Sequence, residues 1–215
     1  MRRGALALIA LALLWPLEMR PAEVRPFAAV GGNGGIAPVT AEQTLFIGDS
    51  ITAAWSDEPV RAGYAGFQAC VIRLHLGAVL AANPQVKRVV IEAGTNDILQ
   101  GPGGGYRCVL PGLDPVDSVL NMIRTAQAAG LEVFVMSVLP IAWNDRAGHP
   151  CNPLVPPFNQ TLQAAITAQG AYWVDDYSLF VGNPGLQPDG VHPDEAGYQL
   201  MEQAYAAAAA AAEGQ

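Results

Sequence analysis

Apolar residues occur in four short runs separated by longer stretches with helical periodicity. The runs are four to six residues long and contain mainly apolar, β-branched and aromatic side chains, which is typical of strands buried on both faces of a sheet. They cover residues 44–47, 88–92, 132–137 and 171–175. The pattern therefore predicts four short, buried strands.

Helical periodicity appears between and after these runs, over residues 70–82, 115–129, 157–169 and 194–212. The second and third of these stretches begin with proline, which suits the first turn of a helix. Strands that alternate with helices favour a parallel sheet, because each crossover must pass over one face of it. We therefore predict an α/β fold, a three-layer α/β/α domain around a mostly parallel central sheet.

The N-terminus has the pattern of a targeting segment. Two arginines precede an unbroken apolar run over residues 5–14, which is shorter than the roughly 20 apolar residues of a membrane span. We expect residues 1–22 to be a signal peptide or, if uncleaved, an N-terminal anchor. Residues 23–43 are then a linker and residues 44–215 the folded domain. The protein is expected to be exported, either to a periplasm or to the extracellular space.

Charge and cysteine content limit the partners. The formal net charge is -8, and an acidic surface repels phosphate backbones, so we expect no nucleic-acid partner. Membrane contact is expected only through an uncleaved leader, and the chain is expected to be a monomer. In an oxidising compartment we expect Cys108 to pair with Cys151, because both lie in Pro/Gly-rich loops, and Cys70 to be a buried thiol. Three free thiols are the alternative.

Candidate catalytic residues follow the predicted strands. Gly48-Asp49-Ser50 comes directly after the first strand, which places Ser50 at the carboxyl edge of the sheet, where ligands of such folds bind. A serine hydroxyl needs a base within hydrogen-bond reach and a third group that orients the base. Asp189 and His192 supply both from one loop. Asn96 follows the second strand and is a neutral amide of the kind that stabilises an oxyanion.

Three sequence blocks, in this order, resemble those of the GDSL, or SGNH, hydrolase family: Gly48-Asp49-Ser50, Gly94-x-Asn96-Asp97 and Asp189-x-x-His192-Pro193. The likeness covers residues 44 to about 205. It implies a flavodoxin-like α/β/α fold and an SGNH-type hydrolase domain.

The resemblance also implies a role for each residue. Ser50 would be the nucleophile, His192 the general base and Asp189 the group that orients the base. The oxyanion would be held by the N–H of Ser50, by Asn96 and by a backbone N–H of a second block. That N–H would belong to Ala69, where the family usually has glycine. The resemblance implies no cofactor and no metal.

Other interpretations of these residues are weaker. Gly-Asp-Ser also occurs as a turn that caps a helix. Asp189 and His192 are possible metal ligands, but the sequence places no further His or Cys to complete a site. An α/β-hydrolase elbow, Gly-x-Ser-x-Gly, is disfavoured because Thr52 occupies the last position. We expect the glycine-rich residues 101–105 to form a loop that borders the cleft, and Trp143 with its neighbour Asn144 to line a pocket for the acyl or leaving group.

The predicted activity is the hydrolysis of carboxylic esters of small molecules, carbohydrates or lipids through an acyl-serine intermediate. The export signal favours short-chain esters outside the cytoplasm, especially O-acetyl groups on sugars. Two alternatives remain at this point. One is an O-acyltransferase with the same triad, and the other is a carbohydrate-binding module that keeps the fold without catalysis.

Overall fold

A computed structural model of the protein describes residues 39–56, 58, 60–101, 108 and 113–214. The predicted targeting segment, most of the predicted linker and residues 102–105 of the glycine-rich loop lie outside these ranges. At the end of the predicted linker, residues Ala41–Gln43 form a 3-10 turn. The Lys87 N–H donates a hydrogen bond to the Gln43 carbonyl (2.8 Å), so this turn is attached to the folded domain.

The described residues contain one five-stranded sheet in which every neighbouring pair of strands is parallel. Its strands in chain order are β1 (Thr44–Gly48), β2 (Val60–Gly63), β3 (Arg88–Glu92), β4 (Glu132–Met136) and β5 (Tyr172–Val174). In space they are arranged β2-β1-β3-β4-β5, so β3 is central and β1 lies next to it. The carboxyl ends of all five strands therefore meet at one edge of the sheet.

Helices cover both faces of the sheet, which confirms the predicted three-layer α/β/α fold. In chain order they are α1 (Ser50–Ala54), α2 (Ala69–Ala82), α3 (Thr95–Leu99), α4 (Pro115–Ala128), α5 (Val155–Thr167), α6 (Tyr177–Phe180) and α7 (Glu195–Glu213). Side-chain caps begin two of the long helices: Asp114 accepts the Val116 N–H (2.8 Å), and Asp194 accepts the Gly197 N–H (2.9 Å). Within the described part of the chain, no helix has the length and apolar character of a membrane span.

Alternate residues of the central strands pack into two separate apolar cores, one on each face of the sheet. Leu45 and Ile47 of β1 join side chains of α2, α4 and α5 on one face of the sheet. Phe46, which lies between them, joins side chains of α1, α6 and α7 on the other face. Because successive side chains of a strand point to opposite faces, a strand covered on both sides needs an unbroken apolar run. That requirement explains why β1, β3 and β4 are visible in the sequence.

The sequence pattern missed β2, which forms one edge of the sheet. Its four residues, Val-Arg-Ala-Gly, include a single β-branched side chain, so strand propensity gives little signal. The strand forms because it pairs with β1, in a register that runs from Leu45 opposite Val60 to Gly48 opposite Gly63. Gly63 allows α1 to approach closely, since a Cβ there would lie 2.2 Å from the backbone of Ala53.

The cysteine pairing differs from the sequence-based prediction. Cys70, in the first turn of α2, is disulfide-bonded to Cys108, with Cα atoms 5.9 Å apart. Cys151 is the buried free thiol and belongs to the apolar core. The predicted Cys108–Cys151 bond was wrong because it relied on both residues being in loops, whereas the distance between Cα atoms decides which cysteines can pair.

We expect loss of the Cys70–Cys108 disulfide to destabilise the protein. The bond closes a loop with a sequence separation of 38 residues, so Cys70→Ala should lower the free energy of unfolding by about 4 kcal/mol in the chain-entropy model. Urea denaturation measures this loss. Cys151→Ala is the matched control, because it removes an equally buried sulfur and leaves the disulfide intact. Recovery of a Cys108–Cys151 peptide from the unreduced wild type would contradict the pairing.

Candidate active site

Ser50 lies at the carboxyl edge of the sheet, at the first residue of α1. The strand before it ends at Gly48, and Asp49 caps α1 by accepting a backbone N–H of the first turn (2.9 Å). A side chain at position 48 is excluded, because its Cβ would lie 2.1 Å from Thr52 Oγ1 and 2.4 Å from the Glu92 carbonyl oxygen. Strand and helix are therefore joined by a tight turn that leaves the Ser50 side chain half-buried at the edge.

The structure brings Asp189 and His192 to Ser50. The Ser50 Oγ atom lies 2.9 Å from His192 Nε2, and His192 Nδ1 lies 2.7 Å from Asp189 Oδ2. The other carboxylate oxygen, Asp189 Oδ1, accepts the backbone N–H groups of His192 (2.7 Å) and Val191 (2.9 Å). The three side chains thus form the series of hydroxyl, imidazole and carboxylate that an activated serine requires.

The hydrogen bonds around Asp189 set its charge. Its small degree of burial raises the pKa, but the hydrogen bonds from His192 and Val191 outweigh this effect and lower the pKa to about 2. The carboxylate is therefore ionised at neutral pH. An ionised partner on Nδ1 favours the tautomer that carries its proton there, which leaves Nε2 of His192 as the acceptor that faces the Ser50 hydroxyl.

The loop that carries this candidate base is anchored to the rest of the domain. We call residues 187–192 the base loop. At its start, Gln187 Nε2 donates to the Pro140 carbonyl (3.1 Å), and further along, the Ala142 N–H donates to the Gly190 carbonyl (2.8 Å). Gly190 has a φ of 86°, and a Cβ there would lie 2.8 Å from the Ala142 Cβ. The base loop is therefore held against the segment that follows β4.

Asn96 lies at the same edge, beside Asp49. The chain turns from β3 into α3 at Gly94, which has a φ of 131°. Asn96 Nδ2 donates to Asp49 Oδ2 (3.1 Å), and Asn96 Oδ1 accepts from Gln100 Nε2 (3.3 Å). These two bonds fix which way the amide faces. Since Nδ2 carries two hydrogens, one of them remains for a ligand.

Ala69 is the first residue of α2, and its N–H already has an acceptor. It donates to Asp97 Oδ2 (2.9 Å), a bond that joins the start of α2 to the block Gly94-x-Asn96-Asp97. The N–H would have to leave Asp97 before it could act on an oxyanion. Gly66, on the preceding loop, has a φ of 78° and accepts a hydrogen bond from Gln100 Nε2 at its carbonyl (2.9 Å). Gln100 therefore contacts both this loop and Asn96.

Trp143 lies beside the imidazole of His192. The two rings meet edge to face with centroids 6.2 Å apart, and the indole N–H donates to the Asp189 carbonyl. The Trp143 side chain is still 44% exposed. Asn144, the other residue expected to line a pocket, is exposed, and its backbone pairs with Pro150 in an isolated bridge. An open aromatic surface therefore adjoins the candidate base.

A buried carboxyl group that the sequence analysis did not single out lies behind Ser50. Glu92 is the last residue of β3 and is 3% exposed. Its Oε2 atom accepts hydrogen bonds from the Thr52 hydroxyl (3.2 Å) and the Asp49 N–H (3.3 Å). The sequence does contain a signal for this group: an acidic residue ends the apolar run Val-Val-Ile, and a sheet covered on both faces buries that position.

Taken together, these residues can activate a hydroxyl for attack on a carbonyl carbon. Among the described residues, no group of three or more His, Cys, Asp and Glu side chains is arranged to hold a metal ion. A three-layer α/β/α fold with a hydroxyl, an imidazole and a carboxylate in series at the carboxyl edge of its sheet has the architecture of a serine hydrolase.

Comparison of the sequence with known families gives the same class. Residues 58–200, about two thirds of the chain, match the GDSL-like lipase/acylhydrolase family. The chain belongs to this family of hydrolases. The match begins after Ser50, so the position of this residue rests on the geometry described above. Among curated proteins, none matches the sequence.

Solved structures of related proteins share the fold. A Bacteroides thetaiotaomicron GDSL-like lipase is 26% identical with a TM-score of 0.68, covering 81% of this chain and 91% of its own. A Bacteroides fragilis protein assigned as an acylhydrolase is 25% identical with a TM-score of 0.69, covering 80% and 88%. An acetylxylan esterase from Geobacillus stearothermophilus is 16% identical with a TM-score of 0.59, covering 77% and 93%, and shows the fold alone.

The carboxyl group of Asp97 makes stability depend on pH. Burial raises its pKa to about 7, although the Ala69 N–H bond opposes this shift, and its Oδ1 atom has no donor among the described residues. Between the ordinary carboxyl pKa and about 7, the folded protein holds a proton that the unfolded chain has lost. The free energy of unfolding should therefore fall as pH rises through this window.

Asp97→Asn should reduce this fall, because an amide keeps the acceptor for Ala69 and does not titrate. We expect the decline between pH 4.5 and pH 7.5 to shrink by up to about 3 kcal/mol, measured by urea denaturation at both pH values. The exposed Asp117, which water solvates in both states, provides the control: Asp117→Asn should leave the decline in place. Equal declines in wild type and Asp97→Asn would contradict the prediction.

Proposed function

We propose that the protein is a serine esterase that hydrolyses carboxylic esters through an acyl-Ser50 intermediate. One observation carries this proposal. Ser50 Oγ lies 2.9 Å from His192 Nε2, and His192 Nδ1 lies 2.7 Å from an Asp189 carboxylate that is ionised at neutral pH. A serine hydroxyl in contact with an oriented neutral imidazole is the arrangement that makes it nucleophilic.

The reaction proceeds in two halves. In the first, the Ser50 oxygen attacks the ester carbonyl carbon while His192 Nε2 accepts the hydroxyl proton. The proton then passes from Nε2 to the oxygen of the leaving alcohol as the ester C–O bond breaks. In the second half, water attacks the acyl-serine, His192 accepts a proton from this water, and the proton returns to the Ser50 oxygen as the acid leaves. Asp189 stabilises the transient imidazolium without accepting its proton.

Two donors at the edge of the sheet support stabilisation of the oxyanion. The Ser50 N–H belongs to the first turn of α1, where backbone N–H groups have no partner within the helix. The Asn96 amide is held by Asp49 with one Nδ2 hydrogen to spare. Removing one such donor from a serine hydrolase typically costs about 2.7 to 4 kcal/mol in the transition state.

For the substrate we propose short-chain esters on carbohydrates, O-acetyl groups in particular. The support is the open indole surface of Trp143 beside His192, since an exposed aromatic ring offers a flat apolar surface against which a sugar can pack. The acetylxylan esterase that shares the fold acts on such an ester. Export fits the same proposal, because the Cys70–Cys108 disulfide is of a kind that persists in oxidising compartments.

The test of the nucleophile is Ser50→Ala. We expect the variant to lose at least about 10³-fold in kcat on p-nitrophenyl acetate, because the hydroxyl that forms the acyl-enzyme is gone. A fluorophosphonate probe should label wild-type protein on the peptide that contains Ser50. Ser178→Ala is the matched control, since the hydroxyl of this exposed serine donates to a carboxylate, Asp175, and not to an imidazole (2.6 Å).

Two outcomes would change the proposal. A wild-type protein that gives no adduct at Ser50 and no ester hydrolysis would favour a carbohydrate-binding module. A wild-type protein whose main product in the presence of a sugar acceptor is the acylated sugar would favour an acyltransferase.

The test of the substrate is Trp143→Ala. With an acetylated oligosaccharide we expect kcat/KM to fall about tenfold, the size of one well-packed aromatic contact. With p-nitrophenyl acetate, which has no sugar to pack on the indole, kcat/KM should stay within about threefold. Steady-state kinetics on both esters give the comparison.

Trp143→Phe separates the two contacts of the indole. This variant keeps an aromatic face but loses the hydrogen bond to the Asp189 carbonyl. If the face binds sugar, Phe should restore most of the activity on the acetylated oligosaccharide. An equal loss on both esters in both variants would show that Trp143 acts only by holding the base loop.

A further inference from the structure

Two buried carboxyl groups, Asp49 and Glu92, lie next to the candidate nucleophile: the Asp49 N–H donates to Glu92 Oε2 (3.3 Å), and the two side chains are in hydrogen-bonding contact. Both are buried, with exposures of 0% and 3%. Asp49 lies between β1 and α1, and Glu92 ends β3, the neighbouring strand. Two ionised carboxylates in contact repel each other strongly when water is excluded, so such a pair ordinarily keeps one proton.

Three of the four carboxyl oxygens already receive donors. Asp49 Oδ1 accepts the Ile51 N–H (2.9 Å), and Asp49 Oδ2 accepts the Asn96 amide (3.1 Å). Glu92 Oε2 accepts the Thr52 hydroxyl (3.2 Å) and the Asp49 N–H (3.3 Å). The fourth oxygen, Glu92 Oε1, is buried and receives no donor from the described residues. A proton on this oxygen turns an unpartnered acceptor into a donor.

The surroundings decide which residue holds the proton. Burial raises the pKa of Glu92 well above its ordinary value, and the neighbouring Asp49 charge raises it further. Burial also raises the pKa of Asp49, but the hydrogen bonds from Ile51, Glu92 and Asn96 all favour its ionised form. Glu92 is therefore the neutral acid of the pair and Asp49 the carboxylate.

We propose that Glu92 is a positioning residue that acts as a neutral carboxylic acid: it donates its proton to Asp49 and holds the Asp49 carboxylate against both Asn96 and the first turn of α1. The inference rests on the proposed function, because it matters for catalysis only if Asn96 binds an oxyanion and Ser50 attacks an ester. Glu92 itself does not touch the substrate. It reaches the reaction through Asp49, which fixes the direction of the Asn96 amide.

Exchange of Glu92 for glutamine and alanine tests this role. Glutamine keeps the shape of the side chain, a donor for Asp49 and an acceptor for Thr52, so Glu92→Gln should keep kcat on p-nitrophenyl acetate within about threefold of wild type. Alanine removes the donor and leaves Asp49 free to turn. Glu92→Ala should therefore lower kcat at least about tenfold with KM within about twofold, because the oxyanion donor acts in the transition state.

Asp176→Ala is the matched control for a purely structural cost. Asp176 is also a fully buried carboxyl group, and neither of its oxygens receives a donor from the described residues, but it follows β5 at the side of the sheet far from β1. Its loss should change the melting temperature and leave kcat within about twofold of wild type. Equal losses of kcat in Glu92→Ala and Asp176→Ala, or a Glu92→Gln variant as impaired as Glu92→Ala, would overturn the proposal.

A direct measurement of the proton keeps the proposal testable if Glu92→Ala fails to fold. In protein labelled with carbon-13 at the glutamate carboxyl carbons, Glu92→Gln assigns one signal by its disappearance. That signal should have the chemical shift of a protonated acid at pH 7, and the shift of an ionised carboxylate there would overturn the proposal. Fluorophosphonate labelling of wild-type Ser50 distinguishes a failure of this inference from a failure of the proposed function. A labelled Ser50 with an ionised Glu92 removes only this inference, whereas an unlabelled and inactive wild type removes the proposed function as well.

Discussion

The hydrogen bond between the Ser50 hydroxyl and the His192 imidazole joins residues that are 142 positions apart in the chain. It forms because β1 delivers Ser50 to the carboxyl edge of a parallel sheet and the segment before α7 delivers His192 to the same edge. The Tyr198 hydroxyl, one turn into α7, donates to the Ile51 carbonyl (2.9 Å) and fastens the two regions together. The sheet and its helices thereby hold Ser50 Oγ 2.9 Å from His192 Nε2.

Polar groups buried beneath the carboxyl edge of the sheet hold the residues of the candidate site in place. Asp49 caps the first helix and orients Asn96, while Asp97 holds the start of α2. Each of these carboxyl groups is removed from water, which would be unfavourable without partners, and each receives at least one N–H from a neighbouring loop or helix. If these supporting groups left their partners, they would expose unsatisfied atoms in an apolar interior, which opposes their movement.

The parts of this architecture that were predictable are those with local signals. β1, β3 and β4 appear as apolar runs because helices cover both faces, and Asp189 and His192 lie three residues apart on one loop, where their contact needs little of the fold. The edge strand β2 gave no such signal, because its existence depends on pairing with β1. The Cys70–Cys108 bond, the contact between Ala69 and Asp97, and the contacts of the buried Glu92 all depend on which distant segments become neighbours. Propensity and spacing do not encode that information.

The glycine that ends β1 has a consequence for how this protein can change. A Cβ at position 48 would meet both the Thr52 hydroxyl oxygen and the backbone of Glu92, so β1 and β3 approach too closely at this point for a side chain to fit between them. Laboratory evolution toward new esters is therefore closed at this position. Under the proposed function, it would have to work through exposed residues such as Trp143, where substitutions leave the spacing of the two strands intact.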